Sequence, residues 1–327
     1  MLELRGATYR HPIRRPTRLR PWARAPGPGI RGIDLSIEGG IILGLVGPNG
    51  AGKTTLLQVL ASLLPLESGR VILRDAQTDL QRRAAIGYMP ERVTWAGPGT
   101  PRQVMARLCA MRGLDSEGAR MLELVGLTKR SNDDLSTLSQ GMKQRLSLAA
   151  TLLGEPRVLL LDEPLNGLDP VAQGAFRNLL RQLADRGVAV IVSSHSLADL
   201  ERLADEVVLM HRGRIVASGP LTEIERGLGL RARLDVAGLG EMPDDFGEEV
   251  EVESIAVLQG EDWAARLHLN EGEWTAERRA ALQSDLQITR LSPVPAELEA
   301  VISAATGLAI EDAGFTIFSD SEVSEDD

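Results

Sequence analysis

Two short stretches of this 327-residue chain carry side chains whose types and spacing suit phosphate chemistry. The first is Gly47-Pro48-Asn49-Gly50-Ala51-Gly52-Lys53-Thr54, which fits G-x-x-x-x-G-K-[ST]. Its glycines let the backbone wrap a phosphate, so that amide N–H groups and a helix N-terminus face the oxygens. Asn49, Gly50, Ala51, Gly52 and Thr55 complete this cradle, Lys53 would reach the β- and γ-phosphates, and Thr54 would ligate Mg²⁺. The second is Val158-Leu159-Leu160-Leu161-Asp162-Glu163-Pro164, an apolar strand ending in two carboxylates. Beside the phosphate loop, Asp162 would hold Mg²⁺ and Glu163 would face an attacking water as general base. Taken alone, such a pair reads as a strand end meeting solvent; its pairing with Lys53 reverses that reading. ATP and Mg²⁺ are the expected ligands.

The elements that must position these residues follow from hydrophobic pattern. Ile41 to Val46 is apolar, Gly47 to Gly52 is a turn, and Lys53 to Leu64 has helical apolar spacing, which together open a nucleotide-binding α/β unit. Strands are expected at 2–4, 33–37, 71–73, 85–88, 158–161 and 188–193, and helices at about Thr100 to Val125 and Ala172 to Asp185. Val104, Leu108 and Met111 are expected to share the apolar face of the former helix. Unbroken apolar runs suit parallel strands covered on both faces. The Arg- and Pro-rich stretch from Pro12 to Gly29 reads as an inserted, solvated loop, with eight arginines between Arg5 and Arg31.

Leu138-Ser139-Gln140-Gly141-Met142-Lys143-Gln144-Arg145, lying ahead of the Asp-Glu pair, resembles the signature sequence of ATP-binding cassette (ABC) proteins. The third and fifth residues depart from the common form, while Ser139 and Gly141 are kept; the resemblance implies that these two close over the γ-phosphate bound to another subunit. Asn166-Gly167-Leu168-Asp169-Pro170 is similar to the D-loop, whose Asp169 would face that partner, and Ser193-Ser194-His195 to the switch histidine, with His195 near the γ-phosphate and attacking water. Ile86-Gly87-Tyr88-Met89-Pro90-Glu91 aligns with the Q-loop, with Glu91 where many members have Gln; it can still reach water and Mg²⁺. The adenine-stacking aromatic aligns with His11, with Tyr9 two residues away, and the two remain alternatives. Thr100-Pro101-Arg102-Gln103-Val104 and Pro295-Ala296-Glu297-Leu298-Glu299-Ala300-Val301 are similar to segments of the type-two exporter cassettes.

Composition bounds the rest. Aromatics are 3%, too few for stacking platforms on single-stranded nucleic acid. The lone Cys109 suits a reducing, cytoplasmic compartment, and no apolar run approaches a membrane span. The net charge of −10 is divided: residues 221–327 hold 25 acidic and 7 basic side chains, against 21 and 29 before them. With Gly219-Pro220 as punctuation, this predicts an ABC ATPase domain over 1–220 and an acidic accessory domain over 221–327, disordered from about 312. In the second part, strands are expected near 231–236, 249–258, 263–269 and 285–291, and helices near 275–283 and 295–305. Leu234, Val236, Ile255, Val257, Leu267 and Leu269 would form its core.

The expected fold is α/β: a P-loop NTPase core with an antiparallel β-subdomain and a helical subdomain, followed by a small α/β accessory domain. The resemblance implies an ATPase that pairs head to tail with a second cassette and powers a separate polytopic permease from the cytoplasmic face of the membrane, with no nucleic-acid partner. A soluble ABC ATPase of translation or DNA repair and a regulatory cassette without hydrolysis are the rival readings.

Overall fold

The computed structural model describes residues 1–14, 24–95, 97–114, 117–243, 245–247, 250–258, 260–269, 274–285, 288–294 and 296–307. The chain divides into two compact units, Met1–Ile224 and Glu225–Asp327. The division falls within a short helix just past Gly219-Pro220.

Strands β1 (Leu2–Arg14) and β2 (Arg24–Ile37) open the first unit as a long antiparallel hairpin. Pairing runs from Leu2 opposite Ile37 to Arg14 opposite Arg24, so the flanks of the expected loop are strand; residues 15–23 lie outside the described residues. The prolines that argued for a loop are accommodated because Pro12 faces Pro26, next to a register shift. Neither residue there is asked for an N–H.

Strand β3 (Ile42–Val46), wholly buried, leads through the Gly-rich turn into α1 (Lys53–Leu60). That helix stops short of Leu64 because Ser62 turns the chain with φ 56°. β4 (Ser68–Leu73) returns to pair with β1, giving a three-stranded sheet in the order β2-β1-β4. A short helix that the hydrophobic pattern did not indicate, α2 (Asp79–Ala85), begins at a reciprocal cap between Thr78 and Gln81. β5 (Ile86–Met89) follows.

The expected helix from Thr100 to Val125 is two: α3 (Pro101–Arg112), closed by Gly113 in the left-handed region, and α4 (Glu117–Leu124). The face of α3 also differs. Pro101, Met105 and Cys109 are buried, whereas Met111 is 82% exposed. Both stripes have helical spacing, but they point about 100° apart on the wheel, and only tertiary packing chooses between them.

Next come α5 (Gln140–Thr151), β6 (Val158–Leu161), α6 (Pro170–Asp185), β7 (Ala189–Ser194), α7 (Leu197–Glu201), β8 (Glu206–His211), β9 (Arg214–Gly219) and α8 (Leu221–Gly227). Strands β3 and β5 to β9 form one sheet in the order β5-β6-β7-β3-β8-β9, parallel except for β9. β6 and β7 are buried along their whole length, as both-face coverage requires. The loops after β6, β7 and β3 therefore leave the same edge of the sheet side by side, where ligands of open α/β sheets bind.

The two sheets are joined by a close backbone approach. The turn after β8 puts Gly213 against β2: Arg31 N–H donates to Gly213 O, and Gly213 N–H donates to Ala51 O of the Gly-rich turn, both at 2.8 Å. A Cβ on Gly213, whose φ is +77°, would lie 2.2 Å from Gly29 O.

In the second unit, β10 (Arg233–Gly238), β11 (Val250–Ser254), β12 (Trp263–Leu269) and β13 (Ile288–Val294) form an antiparallel sheet in the order β11-β12-β10-β13, with α9 (Ala276–Asp285) and α10 (Leu298–Thr306). Its core gathers Leu234, Val236, Phe246, Trp263, Ala265 and Leu267. Val257, expected in this core, is 49% exposed because β11 ends at Ser254. The expected disordered tail lies outside the described residues. No helix among the described residues is long and apolar enough to cross a membrane.

The glycines give a paired test. Gly174, inside α6, has open space where a methyl would project, so Gly174→Ala should raise stability by about 0.5–1 kcal/mol. Gly213→Ala should lower it by about 2–4 kcal/mol, through strain and collision with Gly29. Melting curves should move in opposite directions; a wild-type melting temperature for Gly213→Ala would refute the close approach.

Candidate functional site

Three neighbouring strand ends assemble the site. After β3, Gly52 takes φ 106° at the start of α1, a conformation that favours glycine. The first turn of α1 has neither a side-chain cap nor an acidic residue, so its positive end is left to an anion. Lys53 is 7% exposed and donates from Nζ to Gly47 O at 2.6 Å. Burial pulls its ammonium below the ordinary lysine value, and the charges of Glu163 and Asp162 oppose that shift. Thr54 is exposed beside it and Thr55 is buried.

After β6, Asp162 N–H donates to Met89 O on β5, and Glu163 follows with φ 48°, uncommon for a residue with a side chain. Glu163 Oε1 lies 3.7 Å from Lys53 Nζ, and its Oε2 lies 3.0 Å from His195 Nδ1 at the end of β7. Glu163 is 8% exposed, yet the His195 side chain is 57% exposed, so the carboxylate sits at the boundary between buried residues and solvent. Ser193, also at the end of β7, bonds both Asp162 and the Glu163 backbone.

Asp162 Oδ2 is buried without a hydrogen-bond partner in the described residues. A lone buried carboxylate oxygen is costly unless a ligand meets it, and an oxygen-seeking divalent cation such as Mg²⁺ fits. Among the described residues no cluster of three His, Cys, Asp or Glu could hold a metal, so Asp162 and Thr54 would need water and phosphate oxygens to complete the shell.

Glu91, after β5, lies at the same sheet edge. Its charge acts on Lys53 from a distance, and its ion pair with Arg92, at 3.7 Å, is an exposed one. His11 Nε2 is hydrogen-bonded to Thr55 Oγ1 at 3.1 Å, which places the imidazole beside the phosphate loop. Tyr9 packs on the core and meets the His11 ring edge-on at 5.0 Å.

A second cluster surrounds the starts of α5 and α6. Ser139 caps α5 by accepting from Met142 N–H at 3.3 Å, and Asp169 caps α6 by accepting from Ala172 N–H at 2.9 Å. A Cβ on Gly141 would touch Leu168 at 3.4 Å, so the two loops lie against each other. Among the described residues no bond joins Ser139, Gly141 or Asp169 directly to Lys53.

Of the links between these clusters, two were not read from the sequence. Gln144, buried in α5, donates to Pro164 O at 3.0 Å, one residue past Glu163. Trp95, beyond Glu91, points its indole N–H at Ser147 Oγ (3.0 Å) and Lys143 O (3.2 Å) of α5. Trp95 in a polar segment was the only signal the sequence offered, since an indole N–H that is half-buried usually finds an acceptor.

Fold and site together define a nucleotide-binding cassette. The ABC transporter family profile matches residues 30–166. The linearmycin resistance ATP-binding protein LnrL of Bacillus subtilis (strain 168) is 32% identical over 222 residues, covering 65% of this chain and 71% of LnrL. An uncharacterised ABC transporter ATP-binding protein, YhcH, of the same organism is 38% identical over 192 residues, covering 56% of this chain and 62% of YhcH. A solved structure of an ATP-binding subunit of an ABC transporter superposes with a TM-score of 0.60 at 25% identity, covering 70% of this chain and 93% of that one. The chain belongs to the ATP-binding proteins of the ABC transporter family.

Lys53→Ala should weaken ATP binding by about tenfold or more, because it removes a buried cation from the phosphate cradle. Titration with a fluorescent ATP analogue reads this directly. Unchanged affinity would contradict the role given to the loop.

Proposed function

We propose that this chain binds Mg²⁺-ATP and hydrolyses it to ADP and phosphate, driving export through a separate polytopic membrane permease. The observation that carries this reading is Glu163, held between Lys53 and His195 beside the unpartnered Asp162 Oδ2. Lys53 and the start of α1 would hold the phosphates, with His11 on the nucleoside side through its tie to Thr55. Glu163 would take the proton of the attacking water, while His195 orients its carboxylate and meets the γ-phosphate from the open side. Mg²⁺, when bound, would neutralise charge between the β- and γ-phosphates. Glu91, whose charge is felt at Lys53, would reach water at the edge of the site.

Ser139 and Gly141 lie at the capped start of α5, against the loop that leads to Asp169, and among the described residues none of the three is bonded to the chain's own Lys53. This supports a head-to-tail pair of cassettes in which each chain completes the other's site. The acidic balance of the second unit argues against nucleic acid as a partner. Export rests on LnrL, a resistance protein by name, and a position on the cytoplasmic face follows from that reading. Every residue assigned to the chemistry lies within Met1–Ile224, so Glu225–Asp327 is proposed as an accessory interaction unit.

Glu163→Gln should keep ATP affinity while slowing turnover by about two orders of magnitude, with an ATP-bound dimer accumulating. Wild-type phosphate release by this variant would exclude Glu163 as the base. Separately, gentle detergent purification should bring down a polytopic membrane protein in fixed ratio; ribosomes or DNA in its place would favour the translation or repair reading. A chain ended at Ile224 should still bind ATP if it stays folded and monodisperse, and loss of binding by such a chain would place part of the nucleotide site in the second unit.

A further inference from the structure

We propose that Ser193 is a positioning residue that assigns the two oxygens of Asp162 and fixes the backbone of Glu163, so that one hydroxyl sets both the metal-facing carboxylate and the general base. The inference rests on the Mg²⁺-ATP reading of the site.

β6 and β7 pair in parallel up to Leu161 opposite Val192, and there the ladder ends. Beyond that point the next backbone donor of the β6 strand, Asp162 N–H, goes to Met89 O on the other side. Glu163 N–H has left the ladder, and Ser193 Oγ accepts it at 2.8 Å. The same oxygen donates its hydrogen to Asp162 Oδ1 at 2.6 Å, a length that suits a hydroxyl on a carboxylate. Ser193 is 1% exposed, so neither bond competes with water.

Two consequences follow from one side chain. Oδ1 of Asp162 is satisfied and turned toward β7, which leaves Oδ2 as the oxygen free for a cation. Among the described residues no other side chain is bonded to Asp162: Lys53 acts on it as a charge, and the buried Tyr88 hydroxyl makes no hydrogen bond to it. The second consequence concerns Glu163, whose φ of 48° needs an anchor on both sides. Asn166 N–H on Glu163 O holds one side at 3.2 Å, and Ser193 holds the other. The adjacent Ser194 does different work, accepting from Ser196 N–H at 3.0 Å to shape the loop that carries His195.

The test compares Ser193→Ala, Ser193→Thr and Ser193→Val in the full chain. Thr keeps the hydroxyl and adds a methyl; Val has nearly the same shape without it, so packing faults are common to both. Affinity for a fluorescent ATP analogue is measured with MgCl₂ and with EDTA, and Mn²⁺ bound in the presence of ATP is counted by electron paramagnetic resonance. For Ala and Val, the gain in affinity on adding Mg²⁺ and the affinity for Mn²⁺ should each fall by about tenfold or more, with the EDTA value within about twofold of wild type. Their kcat should fall further than KM rises, and Thr should restore both readouts. Equal Mg²⁺ gains for Thr and Val, or parallel losses with and without metal, would overturn the role of Ser193. A wild-type chain whose ATP affinity ignores Mg²⁺ would overturn the reading of the site itself, and this inference with it.

Discussion

A buried ammonium beside two buried carboxylates is the constraint around which the first unit is arranged. Lys53, Asp162 and Glu163 are each less than a tenth exposed, and each charge would be costly there alone. Two negative charges against one positive leave the pocket short of cation before any substrate enters. A triphosphate would deepen that deficit, so the electrostatics admit it in company with a divalent ion and disfavour it bare. The parallel order of β6, β7 and β3 makes this possible, because three loops from distant parts of the sequence leave the sheet at one edge.

The pocket is therefore built from backbone geometry as much as from side chains. Lys53 is steadied by a carbonyl of its own loop, Glu163 by the hydroxyl of Ser193, and Asp162 N–H by Met89 O. Such supports would hold the groups proposed to react to a fraction of an ångström, which is what preorganised chemistry requires. The helix that carries Ser139 is held in turn by Gln144 at the loop after Glu163 and by Trp95 beyond Glu91. Both loops are therefore bonded to the helix whose start is proposed to serve a second nucleotide.

The local chemistry was legible because it is written in consecutive residues. Gly47 to Thr54 and Val158 to Glu163 carry their own strand, turn and carboxylate signals, and the structure brings Lys53, Asp162, Glu163 and His195 together. Strands β3 to β7 and the four strands of the second unit were also legible, within a few residues, from runs of apolar side chains, whereas β8 and β9 were not read. What escaped depends on contacts between segments far apart in sequence. Nothing in Ser193-Ser194-His195 says which serine meets Asp162; the end of the β6–β7 ladder decides it. The face of α3 was misread because Val104 and Met105 begin equally regular stripes, and the hairpin because Arg and Pro are usually loop residues. In that hairpin the pairing of Pro12 with Pro26 overrides composition.

The contact between Gly29 and Gly213 makes the hairpin a cantilever with a fixed root. Up to Thr8, strand β1 is clamped between β2 and β4; past it, pairing is with β2 alone. The clamped part adjoins the phosphate loop, where Gly213 bridges Ala51 and Arg31 by backbone bonds that leave no room for a side chain. Past Arg10 one side-chain bond still reaches the phosphate loop, His11 to Thr55, so it is beyond His11 that charge and proline content could drift without a bonded route to Lys53. In evolutionary terms the strand ends beyond His11 would be sites of low constraint mounted on a root of high constraint, and divergence among cassettes of this architecture should concentrate there.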